Sequence, residues 1–247
     1  MRQYRADLHI HTLLSPCGSL EMSPAFIVET ALALNLDMIA VTDHNHTGHC
    51  KLIRRLADRK DLYVIYGAEV TTREEVHCLA LFDTDDQIDS FQDYLDRYLP
   101  EIPNRPDYFG DQVIVGPDEK IVKELPFLLT NGIDQSINEV EIQVHELGGL
   151  FIPAHVDRMM NGLYYQMGFL PEDLYADAIE ISRFTSEEQI CRQHPELKKY
   201  SLIQDSDAHY PGDIGRVYTI LEIEEPGFEE LSQALKKEGG RRARLLC

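Results

Sequence analysis

The chain has 247 residues, 43% of them apolar, and carries 43 acidic against 23 basic side chains for a formal net charge of −20. That length suits a single α/β barrel and a core that buries about 75% of the unfolded surface. The charge argues against a nucleic-acid polymer or an anionic membrane as a bulk electrostatic partner, and no apolar run approaches the ~20 residues of a membrane span.

In chain order, residues 4–10 read as a strand, entered without an apolar leader core, so a cytoplasmic location is the expectation. A loop over 12–22 follows and holds Ser15-Pro16-Cys17-Gly18. Ser23-Pro24 supplies an N-cap and a proline at the first helical position, opening a helix to 34. Residues 37–42 form a short apolar run, hence a buried strand, which stops at Asp43-His44-Asn45-His46. A helix over 51–59 leads to a strand over 62–70 that closes on Glu69, then to a strand over 76–82 that begins with His77. Residues 86–99 carry Ile88, Phe91, Leu95 and Tyr98 at helical spacing. Residues 100–132 are punctuated by prolines and read as an irregular insertion with one or two short helices, for example over 118–125. A helix over 136–147 has Ser136 as its cap, Glu139 in the capping-box position and Gly148-Gly149 as its stop. Strands over 150–154 and 177–182 reach His155 and Arg183. A helix over 186–192 precedes a strand over 201–204 that runs into Asp205-Ser206-Asp207-Ala208-His209. A strand over 216–223 and a helix over 228–237 complete the pattern. Such alternation predicts a parallel sheet with helices outside it, and seven or eight strands suggest closure into a barrel. The five cysteines (Cys17, Cys50, Cys78, Cys191, Cys247) form no CxxC pair and no disulfide framework.

The informative polar residues fall where apolar runs end. His9 and His11 lie one residue apart on the first strand, so period-2 alternation puts both rings on one face. His44, Glu69, His155, Arg183, Asp207 and His209 end or follow later runs, and in an α/β barrel those strand ends share one face. His9, His11, His44, His77, His155 and His209 offer nitrogen, and Glu69 and Asp207 offer oxygen. That mixture suits zinc, manganese or iron. It exceeds the three protein ligands of one catalytic ion and fits two or three ions with a bridging carboxylate.

Asp7-Leu8-His9-Ile10-His11-Thr12, Val41-Thr42-Asp43-His44-Asn45, Gly67-Ala68-Glu69 with His77 downstream, Ile152-Pro153-Ala154-His155 and Ser206-Asp207-Ala208-His209 follow one another along most of the chain. Together they resemble the PHP (polymerase and histidinol phosphatase) superfamily of metal-dependent phosphoesterases. The resemblance implies a distorted (β/α)7 barrel, one domain over 1–247 with the insertion around 100–132, and two or three divalent ions of zinc, manganese or iron. It implies that His9, His11, Glu69 and Asp207 hold one ion. Glu69 would bridge to a second on His77 and His155, and His44 and His209 would hold the third. The third ion's remaining ligand departs from the family pattern: Cys17 stands six residues after His11, where some relatives carry histidine. A thiolate there would ligate zinc or iron; the alternative is a small loop residue, with Glu21 as ligand.

The implied reaction is hydrolysis of a small-molecule phosphate ester by a hydroxide bridging the ions. Arg158 and Arg183, with Arg216 third, would grip the phosphate, and His46 and His49 would protonate the leaving group or touch the substrate. A monoester is favoured over a polynucleotide because the sequence shows neither a basic track nor an aromatic platform. The other readings are cyclic-phosphate, phosphodiester or 3′-phosphonucleotide hydrolysis, and a non-catalytic module that keeps the fold. Asp7 and Asp43 are expected to orient ligand imidazoles from behind.

Overall fold

β1 (Arg2–Ile10) is the strand on which the rest of the sheet is assembled. The computed structural model describes residues 1–246; Cys247 lies outside the described residues. After β1 come α1 (Pro24–Ala33), β2 (Met38–Val41), α2 (Cys50–Ala57), β3 (Tyr63–Thr71), β4 (His77–Phe82) and α3 (Asp85–Tyr98). The segment over 100–132 contains α4 (Pro106–Phe109), β5 (Val113–Val115) and β6 (Ile121–Glu124). Then follow α5 (Ile137–Glu146), β7 (Leu150–Pro153), α6 (Leu163–Gln166), β8 (Ile179–Glu180), α7 (Glu187–Gln193), β9 (Leu202–Ile203), β10 (Thr219–Ile223), α8 (Phe228–Leu235) and β11 (Arg242–Arg244). The helix starts are set locally. Ser23 accepts a hydrogen bond from the Phe26 amide with Pro24 behind it, and Ser136 and Glu139 cap α5 reciprocally.

One sheet runs β11-β10-β1-β2-β3-β4-β7, and β8 pairs with β9 in a second. The expected all-parallel sheet is corrected here. β1, β2 and β3 are parallel, but β4 runs antiparallel to both β3 and β7, and β10 antiparallel to β1. The cause is the short connection after β3, five residues from Thr72 to Val76, too few for a crossover helix. Backbone bonds carry the curl on past β7: Asp177 donates to Phe151 and Val156 to Glu180. Residues after β9 return to β1, where the His11 amide donates to Ala208 at 2.9 Å. The strands β1, β2, β3, β4, β7, β8 and β9 thus make a distorted seven-stranded barrel within an α/β fold.

Alternate residues divide the core. Leu8, Met38, Ala40, Ile65, Leu79, Leu81 and Ile152 fill the inside, where Leu231, Ala234 and Leu235 of α8 join them. Ile39, Val41, Val64, Tyr66, Ala80, Phe82 and Phe151 face the surrounding helices. The residues over 118–125 are not helical: β5 and β6 form an antiparallel hairpin, with Glu119 at φ 59° in its turn. Val113 and Val115 of that hairpin bury against Leu13. No helix among the described residues is long and apolar enough to cross a membrane. Cys17, Cys50, Cys78 and Cys191 are free thiols.

Candidate metal centre

A bulge in β1 aims the first two ligands. Asp7 pairs with Ile39 and Ile10 with Val41, so three steps on β1 oppose two on β2. Leu8 therefore points into the barrel and Ile10 out of it, while His9 and His11 both face the carboxylates of Glu69 and Asp207. Glu69 comes from the end of β3 and His77 from the start of β4; antiparallel pairing brings these to the same end of the barrel. His44 follows β2, His155 follows β7, and Asp207 and His209 follow β9. His155 and Asp207 have φ values of 28° and 50°, left-handed backbone that L-residues adopt only where the surroundings impose it.

Glu69 lies at the middle, fully buried. Its Oε1 is 2.7 Å from His77 Nδ1, 2.9 Å from His155 Nε2 and 3.3 Å from His9 Nε2. Its Oε2 is 2.9 Å from His44 Nδ1 and 3.4 Å from His11 Nε2. Asp207 Oδ1 lies 3.4 Å from His11 Nε2 and 3.5 Å from His9 Nε2. His44 Nε2 is 3.2 Å from Cys17 Sγ, and the His11 and His209 rings stack at 4.0 Å. Every histidine named as a ligand from the sequence is brought here, with Glu69, Asp207 and Cys17.

The outer partners fix the tautomers. His9 Nδ1 faces both oxygens of Glu180 at 3.1 Å, so a ring proton sits there and Nε2 is the nitrogen left to face an ion. His11 Nδ1 lies 2.9 Å from Ser15 Oγ, whose own proton goes to Asp43. The two Nε2 atoms then face each other across 3.2 Å. Buried His44 Nδ1 and Glu69 Oε2 also lack hydrogen-bond partners although they are neighbours. Imidazole nitrogens and carboxylate oxygens converging on shared space fit divalent ions, which would displace the protons the rings otherwise hold. Three donor groups fall within such reach: His9, His11, Glu69 and Asp207; His44, Glu69 and His77; and His11, His44 and His209.

The electrostatics divide the rings into two kinds. Burial alone would raise the Glu69 carboxyl, but His77, His9 and His44 hold it well below the usual range. Burial opposes charge on His9, His11 and His44, yet Glu180, Glu69 and Asp207 raise His9 well above the ordinary histidine value. Asp207 and Glu69 raise His11 to about 8, and Cys17 and Glu69 raise His44 to about 9, so these three rings hold a second proton that a bound ion would displace. Burial brings His77 down to about 4 and His209 to about 3, leaving both neutral, the form that ligates.

Arg158 pairs with Asp207 of the cluster, while Arg183 pairs with Asp213 at 3.4 Å and lines the same cavity as Asp207 and His209. His46 does not reach it. That ring lines a different cavity with Asp96, Glu101 and Lys123. Its Nδ1 accepts from the Gly48 amide at 2.9 Å, and burial pulls its pKa down to about 4. A neutral ring pointing elsewhere is no proton donor for a leaving group at this centre. Asp7 also differs from expectation: it accepts from the Ser206 and Gly215 amides and holds the Asp207 loop rather than an imidazole. Glu180 and Ser15 do the orienting, and the sequence reading passed over both. A lone glutamate inside the apolar run Ala178-Ile179-Glu180-Ile181 was the available signal.

The crystal structure of the lesion-specific endonuclease PfuEndoQ from Pyrococcus furiosus matches with a TM-score of 0.76 over 98% of this chain and 58% of that one, at 20% identity. Endonuclease Q solved with a 27-mer duplex substrate, an abasic lesion at its active site, matches at 0.72 and 21% identity, with the same coverage. At such identities the likeness is one of fold. The uncharacterized protein YqxK of Bacillus subtilis (strain 168) is 30% identical over 105 residues, 40% of this chain and 27% of that protein. The chain thus spans less than two thirds of each of these relatives. The family model of the PHP-associated region matches residues 202–238. That of the PHP domain matches residues 7–147, more than half the chain and most of the donors just described, and the chain belongs to the PHP family.

Proposed function

We propose that the protein is a metal-dependent phosphoesterase and that the ester it cuts is a phosphodiester. One observation carries the choice of ester: the donor cluster borders an open groove with two adjoining arms of about 290 Å³ each. Both are lined by Cys17, His155, Arg158, Asp207 and His209. A phosphoryl group seated over Glu69 and Asp207 has room for an organic substituent on either side. A monoester has only one to place.

Ions held by the cluster would draw charge from the phosphoryl oxygens and acidify a water. The chain's own side chains do the rest. Arg158 and Arg183 border one cavity and supply planar donors for phosphoryl oxygens. Phe184 and Tyr210 stand exposed on that side and Met160 on the other, apolar faces for the two substituents. Stacking on such rings contributes about 1–3 kcal/mol per nucleic-acid base.

The argument from net charge against a polynucleotide is too coarse. At physiological salt, fields between exposed charges fade over about 8 Å, so local cations govern the groove rather than the sum over the surface. A neighbour of the same fold carries a DNA duplex, which supports keeping nucleic acid among the substrates. The −20 charge supports the second reading, a small phosphomonoester. To separate them, the chain loaded with manganese, zinc or iron would be assayed on p-nitrophenyl phosphate, its bis(p-nitrophenyl) diester, a single-stranded oligonucleotide and a duplex with an abasic site. Faster turnover of the diesters is expected; a kcat/KM favouring the monoester would reverse the choice, and no turnover or metal retention would remove the phosphoesterase reading itself.

A further inference from the structure

Segment 100–132 could be an independent lid over the groove. Its contacts place it elsewhere. It grips the two loops that carry metal ligands. Leu13 buries against Val113 and Val115, and Leu14 against Leu125 and Leu129. Gly110, at φ 99°, passes so close to the loop after β1 that a Cβ there would sit 2.1 Å from the Pro16 carbonyl oxygen. Asn45, the neighbour of His44, donates from Nδ2 to the carbonyls of Leu129 at 2.7 Å and Asn131 at 2.8 Å.

A continuous line of buried hydrogen bonds runs from this segment to His11. The Val115 amide donates to His49 Nε2 at 3.0 Å. The ring proton of neutral His49 must therefore sit on Nδ1, which donates to Thr12 Oγ1 at 2.7 Å. The Thr12 hydroxyl donates onward to Asp43 Oδ2 at 2.8 Å. Asp43 Oδ1 accepts the Ser15 hydroxyl at 2.7 Å, and that oxygen in turn accepts from His11 Nδ1 at 2.9 Å. Every proton on this line has one direction open to it. His49 is fully buried, reaches no member of the donor cluster, and has both nitrogens engaged.

We propose that His49 is a positioning residue that couples segment 100–132 to the metal centre: docked on the Val115 amide, it orders Thr12, Asp43 and Ser15 so that His11 presents a bare Nε2 to the ion. Lifting the segment would remove the donor that fixes the His49 tautomer and loosen the line at its far end. The segment is then a control on metal occupancy rather than a cover alone. The proposal rests on the metal-binding part of the preceding reading and is indifferent to which ester is cut.

The test reads metal, not turnover. Zinc affinity would be measured by chelator competition for the wild-type chain, His49→Phe, Val115→Pro and Leu231→Ala. His49→Phe keeps a planar ring without nitrogens. Val115→Pro deletes the donated N–H, together with the valine side chain buried on Leu13. Leu231→Ala destabilises the opposite end of the barrel. The first two should weaken zinc binding by up to about 10-fold, the low end of the range for loss of a direct partner of a metal ligand, because Thr12, Asp43 and Ser15 stand between His49 and His11. Leu231→Ala should lower the melting temperature and leave the affinity unchanged. Unchanged affinity in both line variants, or an equal fall in Leu231→Ala, overturns the proposal. If neither line variant folds, long-range 1H–15N correlation on the wild-type protein decides, and a His49 proton on Nε2 refutes the line. Failure of the wild-type chain to bind zinc at all would instead count against the metal-centre reading.

Discussion

Two groups of histidine and carboxylate occupy opposite ends of this barrel, and they differ in what is left over. Around His145 nothing is: Nδ1 lies 2.6 Å from Glu141 and Nε2 2.9 Å from Asp177, so each nitrogen has its acceptor. Asp177 also accepts the Phe151 amide at 2.8 Å and ties β8 to β7. Around Glu69 the count does not close. His44 Nδ1 and Glu69 Oε2 are buried without hydrogen-bond partners, and the Nε2 atoms of His9 and His11 face each other at 3.2 Å. Similar residues therefore mean different things. The satisfied group is structural, whereas the unsatisfied one is arranged for something that brings positive charge and no proton.

Replacing the centre of the unsatisfied group is the largest break available. Glu69→Gln preserves shape but removes the charge that faces His77, His9 and His44. It should cost about 4 kcal/mol of transition-state stabilisation, or about 1,000-fold in turnover. Asp177→Asn in the satisfied group should leave turnover at the wild-type level. Parallel kinetics and metal analysis of the two variants check the contrast, and equal losses would erase it.

A smaller change asks what kind of charge the centre prefers. Cys17 Sγ lies 3.2 Å from His44 Nε2, beside the group formed by His11, His44 and His209. A thiolate ligand selects soft ions. Cys17→Ser should weaken zinc binding about 10-fold, near 1.4 kcal/mol, with manganese affinity unmoved. Titration with both ions measures the difference; an identical shift for the two would assign Cys17 to packing.

The sequence made this centre readable because ligands cannot hide in an apolar run. Each donor interrupts or ends one, as His44 ends the run over 37–42 and His155 the run over 150–154. The family motifs then joined those interruptions. The bulge between Asp7 and Ile10 was not readable, because it is set by pairing with β2 and leaves no mark on composition. Without it His9 would face the helices. The hairpin of β5 and β6 was missed for a related reason. Residues 118–125 have the polar, acidic composition of an exposed helix, and β6 is exposed along its whole length. Only the burial of Val113 and Val115 on Leu13, a contact across about a hundred residues of chain, makes a strand pair the better solution. His46 stands two residues from His44 in sequence but lines another cavity. The chain turns at Asn45, whose φ of 44° sends the next ring away.

The satisfied group makes its own prediction, the smallest in size. His145 lies between two carboxylates; hydrogen bonding to Asp177, outweighing partial burial, raises its pKa above the ordinary histidine value. A histidine whose folded pKa exceeds its unfolded value, near 6.5, stabilises the fold fully below that unfolded value. The contribution is lost as pH rises through the folded pKa. The ring is partly solvent-exposed, which limits the pair to about 0.5–1 kcal/mol. His145→Gln should therefore lower the melting temperature by about 1–4 °C at pH 5.5, with the gap narrowing toward zero at pH 9. Melts across that range, run with and without zinc, sharpen the comparison: the gap should follow pH and ignore the metal. A gap that closes when zinc is added would mean that the two ends of the barrel are coupled and that the separation drawn between them fails.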